Sequence, residues 1–235
     1  MSPRFFPALL ILSATLSPPA HAAGRFEGAI GFLVGTPQGE FEDQVDQTGF
    51  GIDLDGGFRP AESPLVIGGR FGFMSYGSDS RREPFNPNIP EVTIEVETSN
   101  NLLFGQAFLR LEPKHGVVRP FIEGLVGFNY LFTESSVKDE RDGEVLAGST
   151  NFDDTTICYG GGGGLKFRVW RNLDRPKGPI SANILLRADY VKGGEARYLK
   201  EGSISVQNGR VVYDALQSET DLLTYTVGVS VDIGQ

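Results

Sequence analysis

The chain has 235 residues, 30 of them acidic and 21 basic for a formal charge of −9, with 31 glycines and a single cysteine, Cys158. This acidic balance lacks the basic footprint of a nucleic-acid binder, and one cysteine excludes an intramolecular disulfide. Beyond the N-terminus no stretch approaches about 18 uninterrupted apolar residues, so any passage through a bilayer has to be made by strands.

The chain opens with Arg4, an apolar run over 5–16, then Pro18, Pro19 and the small-x-small series Ala20, His21, Ala22. This is the pattern of a secretory signal peptide over 1–22, too short and too proline-rich for a spanning helix. Cleavage would remove one base, Arg4, and no acid, and leave 23–235 as one domain.

Period-two alternation then dominates. Over 25–35, Phe26, Gly28, Ile30, Phe32 and Val34 alternate with Glu27, Ala29, Gly31, Leu33 and Gly35. Over 48–58, Phe50, Ile52, Leu54 and Phe58 oppose Gly51, Asp53, Asp55 and Gly57. A third strand over 65–76 sets Leu65, Ile67, Phe71 and Phe73 against Gly68, Arg70, Gly72 and Met74. A fourth over 102–111 sets Leu103, Ala107, Leu109 and Leu111 against Gln106 and Arg110, with Phe104 and Phe108 on the charged face. Upstream, Val92, Ile94 and Val96 have the opposite parity, which predicts a bulge or break at Ser99, Asn100 and Asn101.

The fifth strand, 119–132, is the cleanest: Ile122, Gly124, Val126, Phe128, Tyr130 and Phe132 on one face, Glu123, Gly127 and Asn129 on the other. Its length suits a tilted strand crossing a bilayer, about 9 to 11 residues. The sixth, 155–170, sets Ile157, Tyr159, Leu165, Phe167 and Val169 against Cys158, Lys166 and Arg168. The seventh, 180–190, pairs Ile184, Leu186 and Tyr190 with Asn183, Arg187 and Asp189, and the eighth alternates Leu223, Tyr225, Val227, Val229, Val231 and Ile233 with Thr224, Thr226, Gly228, Ser230 and Asp232.

Eight strands predict an all-β fold, an eight-stranded antiparallel up-and-down transmembrane β-barrel. The connections alternate long and short, over 36–48, 59–64, 77–98, 112–119, 134–153, 171–179 and 191–221, as in a barrel with short periplasmic turns and long extracellular loops. The long connections are net acidic and the short ones net basic.

Arg119-Pro120-Phe121-Ile122-Glu123-Gly124-Leu125-Val126-Gly127-Phe128-Asn129-Tyr130, the glycine-rich 159–167 and Leu186-Arg187-Ala188-Asp189-Tyr190 resemble the small outer-membrane barrel family typified by the transmembrane domain of outer membrane protein A. The resemblance implies residence in the outer membrane, contact with its lipid, and insertion by the barrel assembly machinery. The last strand, with Thr226, Gly228, Val231 and Ile233, looks like the insertion signal. A peptidoglycan-binding domain like that of some family members is not expected, so the resemblance does not imply such tethering.

Asp53, Asp55, Arg70, Arg110, Glu123, Lys166, Arg168, Arg187 and Asp189 share the second face. Facing lipid, each base would cost up to about 2 to 4 kcal/mol at the midplane, so these charges are expected inside, paired in a network that fills the lumen. Phe104, Phe108, Met74 and Leu125 are expected to help plug it, and Phe50, Phe58, Phe73, Phe132, Tyr159, Phe167, Tyr190 and Tyr225 to form interfacial girdles. The other role for the charged face is a narrow, gated path for small solutes.

Catalytic, cofactor and metal sites are not expected. His115 is the sole histidine after the leader and lies in a short turn without a neighbouring nucleophile. Gly160 to Gly164 lack the ending of a phosphate loop, and the acids Asp139, Glu140, Asp142, Glu144, Asp153 and Asp154 do not have calcium-loop spacing. A soluble lipocalin-type carrier would invert the faces, but a solvated exterior would not be so rich in glycine, and its connections would not alternate in length. The expected role is a non-enzymatic, monomeric surface protein acting in envelope integrity, adhesion or ligand binding, its loop ligand unspecified.

Overall fold

The computed structural model describes residues 24–60, 63–86, 89–139, 145–172, 178–200, 203–207 and 210–234. The elements are β1 (Arg25–Pro37), α1 (Glu40–Gln44), β2 (Gly49–Arg59), β3 (Leu65–Asn86), β4 (Ile89–Leu111), β5 (Val118–Asp139), β6 (Val145–Arg171), β7 (Gly178–Gly193), β8 (Glu195–Tyr198), β9 (Ile204–Gln207), β10 (Arg210–Tyr213), β11 (Leu216–Glu219) and β12 (Leu222–Gly234). Strands β1 to β7 and β12 close an antiparallel barrel in which β1 pairs with β12, from Arg25 opposite Gly234 to Pro37 opposite Leu222. Closure leaves no free edge within the staves.

The staves hold the expected alternation. On β2, Ile52 and Leu54 point out while Asp53 and Asp55 are buried, and the same parity recurs on β5 and β7. Two aromatics lie across the neighbouring strand's glycines. Phe104 is registered opposite Gly72 and Phe108 opposite Gly68, and a Cβ on either glycine would overlap the ring. The rings thereby reach the barrel axis, which side chains standing on both strands would have blocked.

Three differences from the sequence expectation have physical reasons. The spans 77–98 and 134–153 are not loops in the main: β3, β4, β5 and β6 run on beyond the barrel as paired strands, from Gly77 opposite Asn100 to Asn86 opposite Ile89, and from Thr133 opposite Phe152 to Lys138 opposite Val145. A strand in water needs no apolar face, so its composition reads as loop. The pairing of β4 with β5 passes unbroken through Ser99, Asn100 and Asn101; the irregularity is instead on β3, a shift between Ser75 and Gly77 at Tyr76. Finally, the span 191–221 contains two antiparallel strand pairs, β8 with β11 and β9 with β10.

The leader over 1–22 lies outside the described residues, as do Glu140, Asp142 and Glu144. No helix among the described residues is long and apolar enough to cross a membrane.

Candidate functional site

Inside the staves the charges form three connected levels. Nearest the end that carries both termini, Lys166 donates to both carboxylate oxygens of Glu27 at 3.0 Å and to Glu112 at 2.8 Å. Arg59 and Arg119 each approach Glu112 Oε1 at 3.2 Å, and Arg119 also reaches Asp232 at 2.9 Å, where Ser181 donates as well.

At the middle level Arg110, fully buried, donates to Glu27 at 2.6 Å and to Glu123 at 2.7 Å and lies 3.5 Å from Asp55. Its guanidinium sits between the rings of Phe108 and Phe121, 4.5 and 4.6 Å from their centroids. The rings cover its two faces and the carboxylates take its edge, which is how a planar cation is accommodated away from water.

Above it, Arg70 bridges Glu123 and Asp189, the latter at 2.9 Å, and Arg187 bridges Asp53 and Asp55, the latter at 2.7 Å. Gly162 on β6 makes this level fit, since a Cβ there would overlap Asp189 Oδ1 and the Ala188 carbonyl oxygen.

Eight of the nine sequence-nominated charges are thus buried and paired: Asp53, Asp55, Arg70, Arg110, Glu123, Lys166, Arg187 and Asp189. Arg168 is the exception. It is half-buried at the rim, beside a register shift between Arg168 and Trp170, and joins none of these pairs. At the rim its head reaches water, where an ion pair adds little. The sequence reading missed Glu27, Arg59, Glu112, Arg119 and Asp232. Period two places Glu27 and Asp232 on the inner face, whereas Arg59, Glu112 and Arg119 fall at turn margins where no alternation remains to be read.

Toward the distal end the lumen changes character. Leu33, Met74, Leu102, Phe104, Leu131 and Leu222 form an apolar layer, and Phe41 of α1 and Tyr198 of β8 close it from above. Between this layer and the charges lies a cavity of about 20 Å³, room for about one water molecule. Among the described residues the lumen is occupied by these paired charges and this apolar layer. Cys158 is buried, with Gln106 Nε2 3.9 Å from its sulfur, and no group of acids, histidines and cysteines among the described residues could hold a metal ion. His115 is exposed in the turn between β4 and β5.

The outer surface decides what medium the barrel is made for. Phe71 is 63% exposed and Ile122 65%, and Phe32, Leu54, Leu109, Val126, Ile157, Val227 and Val229 are exposed with them in a continuous belt. A soluble barrel of this size would bury those residues and solvate the charges; here the arrangement is reversed, as hydrocarbon requires. The chain is a transmembrane β-barrel.

No protein-family model and no curated protein matches the chain. Solved structures similar to it are small outer-membrane barrels. Neisserial surface protein A is 12% identical, with 91% of this chain and 98% of that one covered at a TM-score of 0.43. A major outer membrane protein of Thermus thermophilus is 12% identical over 90% and 100%, at 0.49. Ail, the attachment invasion locus protein of Yersinia pestis, solved with the heparin analogue sucrose octasulfate, is 14% identical over 89% and 99%, at 0.39.

Proposed function

We propose that the protein is a non-enzymatic outer-membrane barrel, its termini in the periplasm, whose distal projections make adhesive or structural contacts outside the cell. The observation that carries this reading is the contrast between the two ends. The lumen is filled by paired charges and an apolar layer, while β3 to β6 continue past the barrel as a projecting sheet. Backbone invested in a projection and not in a pore favours contact over conduction. In this reading the apolar belt meets outer-membrane lipid and β12 engages the assembly machinery during insertion.

The test compares cells carrying the wild type with cells carrying a barrel whose projections are cut back. Loss of surface attachment or of envelope resistance to detergent, with the barrel still in the outer membrane, is the expected result. Unchanged phenotypes in the truncated strain, together with altered solute uptake in a Glu123→Gln strain, would replace this reading with that of a small-solute channel.

A further inference from the structure

Phe41 is fully buried although α1 lies at the distal surface with Glu40, Glu42 and Asp43 turned outward. Its ring meets Tyr76 and Tyr198 edge-on, at centroid distances of 5.7 and 5.1 Å. Tyr198 shares a hydrogen bond of 2.7 Å with Ser218. The Tyr76 hydroxyl is buried in the same cluster without any partner.

The neighbouring cavity shares Leu33, Met74, Leu102, Phe104 and Leu222 with this cluster, and half of its lining is polar, Asn129, Asp53, Arg70 and Asp189 included. Asn129 Nδ2 is also buried and unpartnered. Native interiors pair such groups or replace them. The Phe41 ring packs against Tyr76 but cannot accept a hydrogen bond from its hydroxyl, and Arg70 Nε and Asp189 Oδ1 of the cavity lining are unpartnered as well.

The segment that delivers the ring is anchored by the buried Phe41 and Val45 and by few hydrogen bonds. It enters α1 through Gly39 at φ 59°, and α1 is a five-residue turn with no side-chain cap. Its ties to the neighbouring loop are Gln38 N–H donating to the Asp221 carbonyl at 2.9 Å and Glu219 N–H donating to the Glu40 carboxylate at 3.3 Å. The β1–β2 ladder is complete up to Gly35 opposite Gly49 without it, so the strap can lift while the staves stay paired.

We propose that the distal mouth of the lumen is a binding site for a small, uncharged apolar molecule bearing one acceptor oxygen, of the aromatic ketone or aldehyde kind, and that Phe41 is its exchangeable stopper. The body of the ligand takes the place of the Phe41 ring against Tyr198, Leu131 and Met74, and its oxygen accepts from Tyr76 or, deeper, from Asn129. A charged ligand does not fit at the Phe41 position, where the surrounding apolar layer would leave an ion desolvated.

Met74 lines this chamber and is the only methionine outside the leader, so its methyl carbon gives a single nuclear magnetic resonance signal at the site. The folded barrel, labelled at the methionine methyl and held in lipid nanodiscs, is titrated with acetophenone and, separately, with ethylbenzene, its counterpart without an acceptor. A saturable shift of the Met74 signal is expected. Phe41→Ala should tighten the apparent Kd by about tenfold to a thousandfold, because the open state no longer has to be drawn from a minor population. Phe41→Leu should give a smaller gain and serves if the alanine variant does not fold. In either background Tyr76→Phe should weaken acetophenone by about threefold to tenfold and leave ethylbenzene unchanged. Absence of a saturable shift in the Phe41 variants, equal affinity for the two probes, or acetophenone binding indifferent to Tyr76→Phe would each overturn the assignment.

Discussion

Arg110 holds three carboxylates at once, Glu27, Asp55 and Glu123. Arg110→Met would leave them buried without their shared cation, and a loss of about 3 to 5 kcal/mol is expected, read as a lower urea midpoint for the barrel in lipid vesicles. Arg168→Gln, at the rim, should stay within about 0.5 kcal/mol of the wild type; an equal loss in both variants would show that the network is not what Arg110 contributes. Glycine positions make a second pair. Gly162→Ala places a methyl group onto Asp189 and the β7 backbone and should cost about 1 to 3 kcal/mol. Gly56→Ala meets nothing within 4 Å on the outer face and should be silent in the same unfolding assay. Period two places Gly162 on the charged face and Gly56 on the lipid-facing one, but it does not show the neighbour each meets, Asp189 on β7 in one case and open space in the other.

At the scale of elements, the barrel staves and their projections obey different rules. Ser78 faces Ser99 across the β3–β4 hairpin, so replacing the residues between them by Asn-Gly supplies the two-residue turn that an antiparallel pair accepts. The shortened protein should retain its heat-modifiable migration on semi-native gels and its urea midpoint; collapse of either would show that the projection supports the barrel. The staves were legible from Phe26, Leu54, Ile122 and Val227 because lipid on one side and charge on the other enforce alternation. The projections were not, because water on both sides permits any parity. The segment α1 lies in the span 36–48, read from the sequence as a loop, and the burial of Phe41 there depends on Tyr76 and Tyr198, which come from distant strands.

For the molecule as a whole, the distribution of polarity is the organising fact. Leu54 is exposed on the outer belt between the buried Asp53 and Asp55, so adjacent residues of one strand live in opposite media. Leu54→Arg should destabilise by about 2 to 4 kcal/mol in bilayers, whereas it should be harmless if the exterior were aqueous. The vesicle unfolding midpoint decides between these outcomes. The small number of strands also explains why the lumen is filled by side chains. Eight strands leave an interior only wide enough for side chains, and six cationic side chains, Arg59, Arg70, Arg110, Arg119, Lys166 and Arg187, pair there with the facing carboxylates.

The eight staves were determined by the sequence alone, because each follows from a local, two-residue repeat that any stave must satisfy independently; which face turns outward was read from the glycines of the charged face and the alternating connection lengths, since the repeat by itself fits either polarity. Which charge meets which was decided only by the tertiary structure. Arg70 and Asp189 lie 119 residues apart, Lys166 and Glu27 139 apart, and their pairing depends on register and shear around a closed sheet, quantities that no single strand encodes. The same holds for the distal mouth. Phe41, Tyr76, Met74 and Tyr198 become neighbours only when the barrel closes and two loops fold across its end, so the chamber they share is a property of the assembled molecule.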